Sequence, residues 1–190
     1  MYSHFMARRT IDVLRYIPEI AYISDERIKR GTIDVWNRLW EMSKFNSPEE
    51  VPVLPGAKYP HMVHNRSVVN LAIAAADVVR RFHGVEVDRD LLIAAAALQD
   101  ASKVVEYEPD PGAGTRKSKL GEMFQHGFYA AHVALNAGLP DEIAELILEH
   151  TFDNPVYPRT LVGKLIFYAD QMDMAAIGLD RWRKLQVVFR

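Results

Sequence analysis

No cysteine occurs anywhere in the 190 residues. That excludes disulfides and thiolate ligands, so any transition metal bound here must rest on imidazole, carboxylate or amide oxygen. No apolar run reaches the ~18 residues that mark a membrane-spanning helix, so no span is expected. The opening MYSHFMARRTIDVL has no continuous apolar stretch, and no secretory signal is read there. A net charge of only -2 gives no general attraction to nucleic acid. Internal repeats, low-complexity segments and heptad runs are missing too. A cytoplasmic setting is compatible with all of this and is the expected location.

What is present is an ordinary globular composition, 49% apolar and 25% charged, in a chain long enough for one domain with a sizeable core. Residues 8–17 read as a short helix stopped by Pro18, because the position before a proline disfavours the helical region. Ser24 and Asp25 offer an N-cap to a helix through Met42, with Ile28, Ile33, Trp36, Leu39 and Trp40 at roughly helical spacing. The two tryptophans are most simply core or interface anchors. Residues 46–59, with Pro48, Pro52, Pro55 and Gly56, read as a loop. The spacing predicts further helices over about 64–83, closed by Gly84, over 91–98, over 119–137, from Pro140 to His150, and over 161–176. Residues 104–115 read as a polar loop, and a second loop carries Pro155 and Pro158.

Residues 91–103, LLIAAAALQDASK, hold the problem the rest of the chain has to solve. The segment starts apolar on every side and is therefore buried, then ends in Gln99, Asp100, Ser102 and Lys103. A buried carboxylate is costly unless a cation pairs with it, so Asp100 needs a partner. Three histidines flank this helix at long range, His64, His126 and His150, and Asp170 follows in the apolar LVGKLIFYAD. Scattered His and Asp at the ends of apolar helices are the donors a metal site in a helical protein needs. Lys103, three residues beyond Asp100, is at a spacing from which its ammonium reaches that carboxylate or a bound phosphate.

This set, in this order, resembles the HD-domain superfamily of metal-dependent phosphohydrolases, over roughly residues 60–174. His64-Asn-Arg-Ser-Val looks like the first motif, and Gln99-Asp100-Ala-Ser-Lys103 like the defining pair, with Gln where the family has His. His126 and the His150 of LEHT look like the two extra ligands of two-metal members, and Asp170 of FYAD like the final Asp. The segment IPEIAYISDERIKRGTIDVW resembles the leader of some archaeal and bacterial members. The resemblance implies an all-α fold of about six or seven helices. It divides the chain into a helical leader over 1–59 packed on the core, a metal-binding HD-type core over 60–178, and a tail over 179–190 ambiguous between helix and strand.

It also implies an enzyme, a metal-dependent hydrolase of a phosphoester of a small molecule or nucleotide. The alternatives are a non-phosphatase HD-type enzyme, an oxygenase or lyase, or a degenerate non-catalytic binding protein. The expected cofactor is one or two divalent ions of Mn, Mg, Fe, Zn or Ni, held by His64, Gln99, Asp100, His126, His150 and Asp170. Asp100 and Lys103 are the expected catalytic residues. Arg66, Arg116, Lys117 and Lys119 are expected to bind an anionic small-molecule substrate, with residues 104–119 bordering the cleft. No nucleic-acid or membrane partner is expected, and a homo-oligomer is left open. His61 competes with His64 for the first motif, and Asp173 with Asp170 for the last, whereas His83 and His132 match no motif position. An amide oxygen at Gln99 is a poorer ligand than imidazole for zinc or iron. The departure at 99 therefore leaves three outcomes: a harder metal, a weak first position, or a degenerate site.

Overall fold

The computed structural model describes residues 9–112, 114–124, 126–151 and 157–178. The fold is all-α. Its centre is helix α4, Arg89–Leu98, started by Asp88, whose carboxylate accepts from the Leu91 N–H at 3.0 Å. Every residue from Leu92 to Leu98 is buried. Such a helix needs neighbours on all sides, and it has them: α2 (Glu26–Met42), α3 (His61–His83), α8 (Asp141–Glu149) and α9 (Leu161–Ala176) all pack on it. Helix α2 is capped by Asp25, not Ser24: the Asp25 carboxylate accepts from the N–H groups of Arg27 and Ile28. Asp90 ties the two helices together, its oxygens accepting from Ser24 N–H and Asp25 N–H at 2.8 Å each. Trp36 and Trp40 are both buried, so they are core residues.

The C-terminal carbonyls of a helix lack partners within the helix. At the end of α4, Ala97 O accepts from Trp36 Nε1–H at 3.2 Å and from Asn65 Nδ2–H at 2.9 Å. Helix α3 starts at His61, one turn earlier than its spacing suggested, because Pro60 fits the position before a first turn.

Three segments differ from the sequence reading. The leader's first helix shrinks to α1, Val13–Tyr16, with a 3-10 turn over Pro18–Tyr22 behind it. Residues 104–115 are not a loop. The short helix α5, Lys103–Glu106, leads into an antiparallel hairpin of β1 (Tyr107–Asp110) and β2 (Gly114–Lys117). The hairpin is pinned at its base, where Ser118 donates through its hydroxyl to Val105 O and through its N–H to Glu106 O. The long helix expected over 119–137 is split into α6, Lys119–Met123, and α7, Phe128–Asn136. Gly127 makes the break, at φ +78, a conformation side-chain-bearing residues avoid. Among the described residues this gives more helical segments than the six or seven expected, since short ones replace a loop and a long helix. Pro155 and the tail 179–190 lie outside the described residues. No helix among the described residues is long and apolar enough to cross a membrane.

Candidate metal centre

Helix α4 ends at Leu98 and the chain turns, so Asp100 is set at the end of the most buried element and is 1% exposed. Its two oxygens face different partners. Oδ2 lies 2.8 Å from Lys103 Nζ and 3.2 Å from His64 Nε2. Oδ1 lies 2.5 Å from His126 Nε2 and 3.4 Å from His150 Nε2. Asp170 approaches from α9, its Oδ1 3.2 Å from the same His64 Nε2, while its Oδ2 accepts from Gln171 Nε2–H at 2.6 Å. Two groups thus share Asp100. They are His64–Asp100–Asp170 and Asp100–His126–His150, each with its donor atoms within 4.8 Å of one another.

All three imidazoles are held the same way round. His64 Nδ1 is 2.7 Å from Asp173 Oδ2, His126 Nδ1 is 3.1 Å from Glu106 Oε2, and His150 Nδ1 is 2.5 Å from the Ile147 carbonyl. A carboxylate or carbonyl oxygen can only accept, so each Nδ1 carries a proton and each Nε2 is the nitrogen turned to the cluster, where it becomes a ligand once its own proton is displaced. Outer acceptors of this kind fix the tautomer and orientation of metal-ligating histidines. Gly127 permits the close packing of the two neighbouring rings. A Cβ there would lie 3.3 Å from His150 Cε1, and the His126 and His150 rings sit 5.1 Å apart.

The electrostatics follow from burial and charge. Burial raises the Asp100 carboxyl, but Lys103, His126 and His150 together hold it well below the usual carboxylate range. Burial also pushes His64 and His126 down. The carboxylates around them prevail, lifting His64 to about 10 through Asp100, Asp170 and Asp173, and His126 to about 9 through Asp100 and Glu106. Packing this many charges in low dielectric is expensive without a compensating arrangement. Buried side-chain atoms without a hydrogen bond gather here. Apart from Glu19 Oε2, those among the described residues belong to His61, His64, Asn65, Gln99 and Asp100. His64 Nε2 and Asp100 Oδ1 are close to their neighbours yet not aligned with them for hydrogen bonds. Unpartnered nitrogen and oxygen donors converging without hydrogen-bond geometry fit divalent cations.

The structure thus brings together His64, Asp100, His126, His150 and Asp170, with Lys103 beside them. Gln99 is fully buried at the end of α4 with both amide atoms unpartnered. His61 is buried too but stands outside both groups, and His83 and His132 are exposed. Two of the expected substrate-binding cations are engaged elsewhere. Arg66 pairs with Glu19 at 3.0 Å, in a groove with Arg15 and Asn70, and Arg116 pairs with Glu108 at 2.8 Å. Glu108 is also met by Lys44 at 2.5 Å. What residues 104–119 bring to the cluster is an anion, Glu106. Sequence reasoning missed it inside an apparent loop, although it lies three residues beyond Lys103, one turn on.

The chain is 30% identical over 112 residues to the dihydroneopterin 2',3'-cyclic phosphate phosphodiesterase of Methanocaldococcus jannaschii. The match covers 58% of this chain and 44% of that protein, so the chain spans less than half the relative's length. No solved structure matches. The family model described as the HD domain matches residues 62–175, from the turn before His64 to the turn after Asp170, and the chain belongs to the HD domain family.

Proposed function

We propose that this protein is a metal-dependent phosphohydrolase whose substrate is a small anionic phosphoester, with cyclic phosphodiesters as the first class to test. The observation that carries the reading is the division of Asp100. One buried carboxylate faces His64 and Lys103 with one oxygen, and His126 and His150 with the other. That arrangement suits a carboxylate shared by two cation positions, and two-metal sites are a recurrent solution for phosphoester displacement. The named activity of the archaeal relative supports the choice of cyclic phosphates.

In this reading His64, Asp100 and Asp170 hold one position, and Asp100, His126 and His150 the other. Divalent ions bound there supply Lewis acidity at a phosphoryl oxygen and a water of lowered pKa. Hydrolysis would form one P–O bond from water and break one ester P–O bond, the leaving oxygen taking up a proton, so a cyclic diester would become a monoester. Lys103 locks Asp100 through its 2.8 Å contact and places a positive charge beside the reacting phosphoryl group. Asp173, Glu106 and the Ile147 carbonyl keep the imidazoles aimed inward. Lys117 and Lys119 are exposed on the hairpin and the start of α6, where they favour the approach of an anion. A metal-poor binding protein is the second reading, favoured by the amide at Gln99.

The test is reconstitution of the stripped protein with Mn(II), Fe(II), Zn(II), Mg(II) or Ni(II) in turn, followed by assays on a generic phosphodiester and on small 2',3'-cyclic phosphates. A monoester product, abolished by chelation and reduced by at least about a hundredfold in Asp100→Asn, is expected. Metal binding without hydrolysis of any diester would favour the binding protein.

A further inference from the structure

Two side chains at the centre of the molecule have no partner and no role in the arrangement above. His61, at the start of α3, is fully buried with neither ring nitrogen hydrogen-bonded. Gln99 is fully buried with neither amide atom hydrogen-bonded. Leaving a buried polar group without a hydrogen bond is costly, so the two together are a substantial penalty in the core of the family region.

The two belong to one place. His61 precedes His64 by three residues and Asn65 by four, so all three share a face of α3. Asn65 and Trp36 both bond Ala97 O, two residues before Gln99, and the Trp36 ring is 6.0 Å from the His61 ring. His61 therefore sits against the C-terminal end of α4, the end that carries Gln99 and Asp100. The charged groups acting on its ring are those of the cluster itself: Asp100, Lys103, His64 and His126. Burial pushes the His61 ring down to about 3, so it is neutral, the state in which imidazole ligates metals.

We propose that His61 is the imidazole that completes the His64–Asp100–Asp170 position, in place of the one missing at residue 99. This rests on the reading of the cluster as a divalent-metal centre. As the side chains stand, His61 is outside both groups, so ligation requires its ring to swing toward the cluster. No hydrogen bond opposes that swing. A ligating histidine usually donates its second ring N–H to an oxygen acceptor, and Gln99 Oε1 is a buried oxygen at the same end of α4 that is equally unbonded. Both unpartnered side chains are then accounted for by one event.

The experiment titrates Mn(II) alone into chelator-stripped wild type, His61→Leu, His61→Gln, Gln99→His and His61→Leu/Gln99→His. Ions bound per chain and affinity are the readouts. His61→Leu and His61→Gln are expected to lose about tenfold or more in affinity at one of two positions. The double variant, with an imidazole restored at 99, is expected to regain it. Leu removes the unpaired nitrogens and Gln keeps a polar group, so one of the two should fold, as circular dichroism would report. A measurement on wild type needs no variant to fold: ring nitrogen-15 resonances during Zn(II) titration. The rings of His61, His64, His126 and His150 should all shift; shifts confined to the last three overturn the proposal. Wild-type affinity in both His61 variants also overturns it while leaving the metal centre intact. A wild-type chain that binds no Mn(II) overturns both.

Discussion

Asp173 lies one turn beyond Asp170 on α9, and its carboxylate accepts from His64 Nδ1 at 2.7 Å while itself being buried. It keeps a proton on the outer nitrogen, so Nε2, facing Asp100 and Asp170, is the nitrogen that gives up its proton to a metal. Asp173→Asn keeps the size of the side chain but removes the charge, and its amide group can also present N–H to the ring. The expected result is a loss of about 10–100-fold in metal affinity with the fold retained. Competition against a chelating dye measures it, and unchanged affinity would mean that the tautomer of His64 is set by the cluster alone. At this scale much was legible. His64, Asp100, His126, His150 and Asp170 could be picked out from residue type and order. Asp173 was visible as a second carboxylate one turn on, but sequence could not say which of the two faces His64 Nε2 and which Nδ1. Glu106 was not visible, because its value depends on α5 turning it toward His126.

The break between α6 and α7 sets His126 beside His150. An uninterrupted helix over 119–137 would carry residue 126 along a straight axis. Gly127, at φ +78, bends the chain instead, and the space a Cβ would take there is bordered by Ile147 O and the His150 ring. In Gly127→Ala the left-handed backbone costs about 1–2 kcal/mol. The new methyl also lies 3.3 Å from His150 Cε1 and 3.2 Å from Ile147 O. Both a stability loss of about that size and weaker metal binding are expected, read by urea denaturation and Mn(II) titration. A stability loss with unchanged metal binding would confine the role of Gly127 to folding. The break escaped the sequence reading because apolar residues recur on both sides of it at helical spacing, and one glycine does not end a helix on its own. Elements α4 and α9 were legible for the opposite reason: long apolar stretches, the first with a capping Asp88 at its start. The hairpin of β1 and β2 was hidden because four-residue strands carry little alternation, and its base is held by Ser118 rather than by an apolar face.

Across the whole molecule, the cluster couples proton binding, metal binding and stability. His64 and His126 are first pushed down by burial and then lifted more strongly by the surrounding carboxylates, to about 10 and about 9, from a usual 6.5. A group whose pKa is raised on folding contributes fully below its unfolded value. That contribution fades as pH climbs through the folded value. Stripped of metal, the chain is therefore expected to lose stability from about pH 6.5 upward until about pH 10. Asp100 has the opposite sign. Its carboxyl is held low by Lys103, His126 and His150 against the effect of burial, so its contribution is present above the usual 3.8 and is lost only in acid. Metal must displace the protons on the histidines, so its apparent affinity rises with pH over the same window in which the stripped chain weakens. Thermal midpoints of stripped and Mn(II)-loaded protein should therefore draw apart as pH rises from about 6.5 toward 9. A gap that stays constant over that window would mean that the ion displaces no proton from His64 or His126, and so binds somewhere other than between them and Asp100.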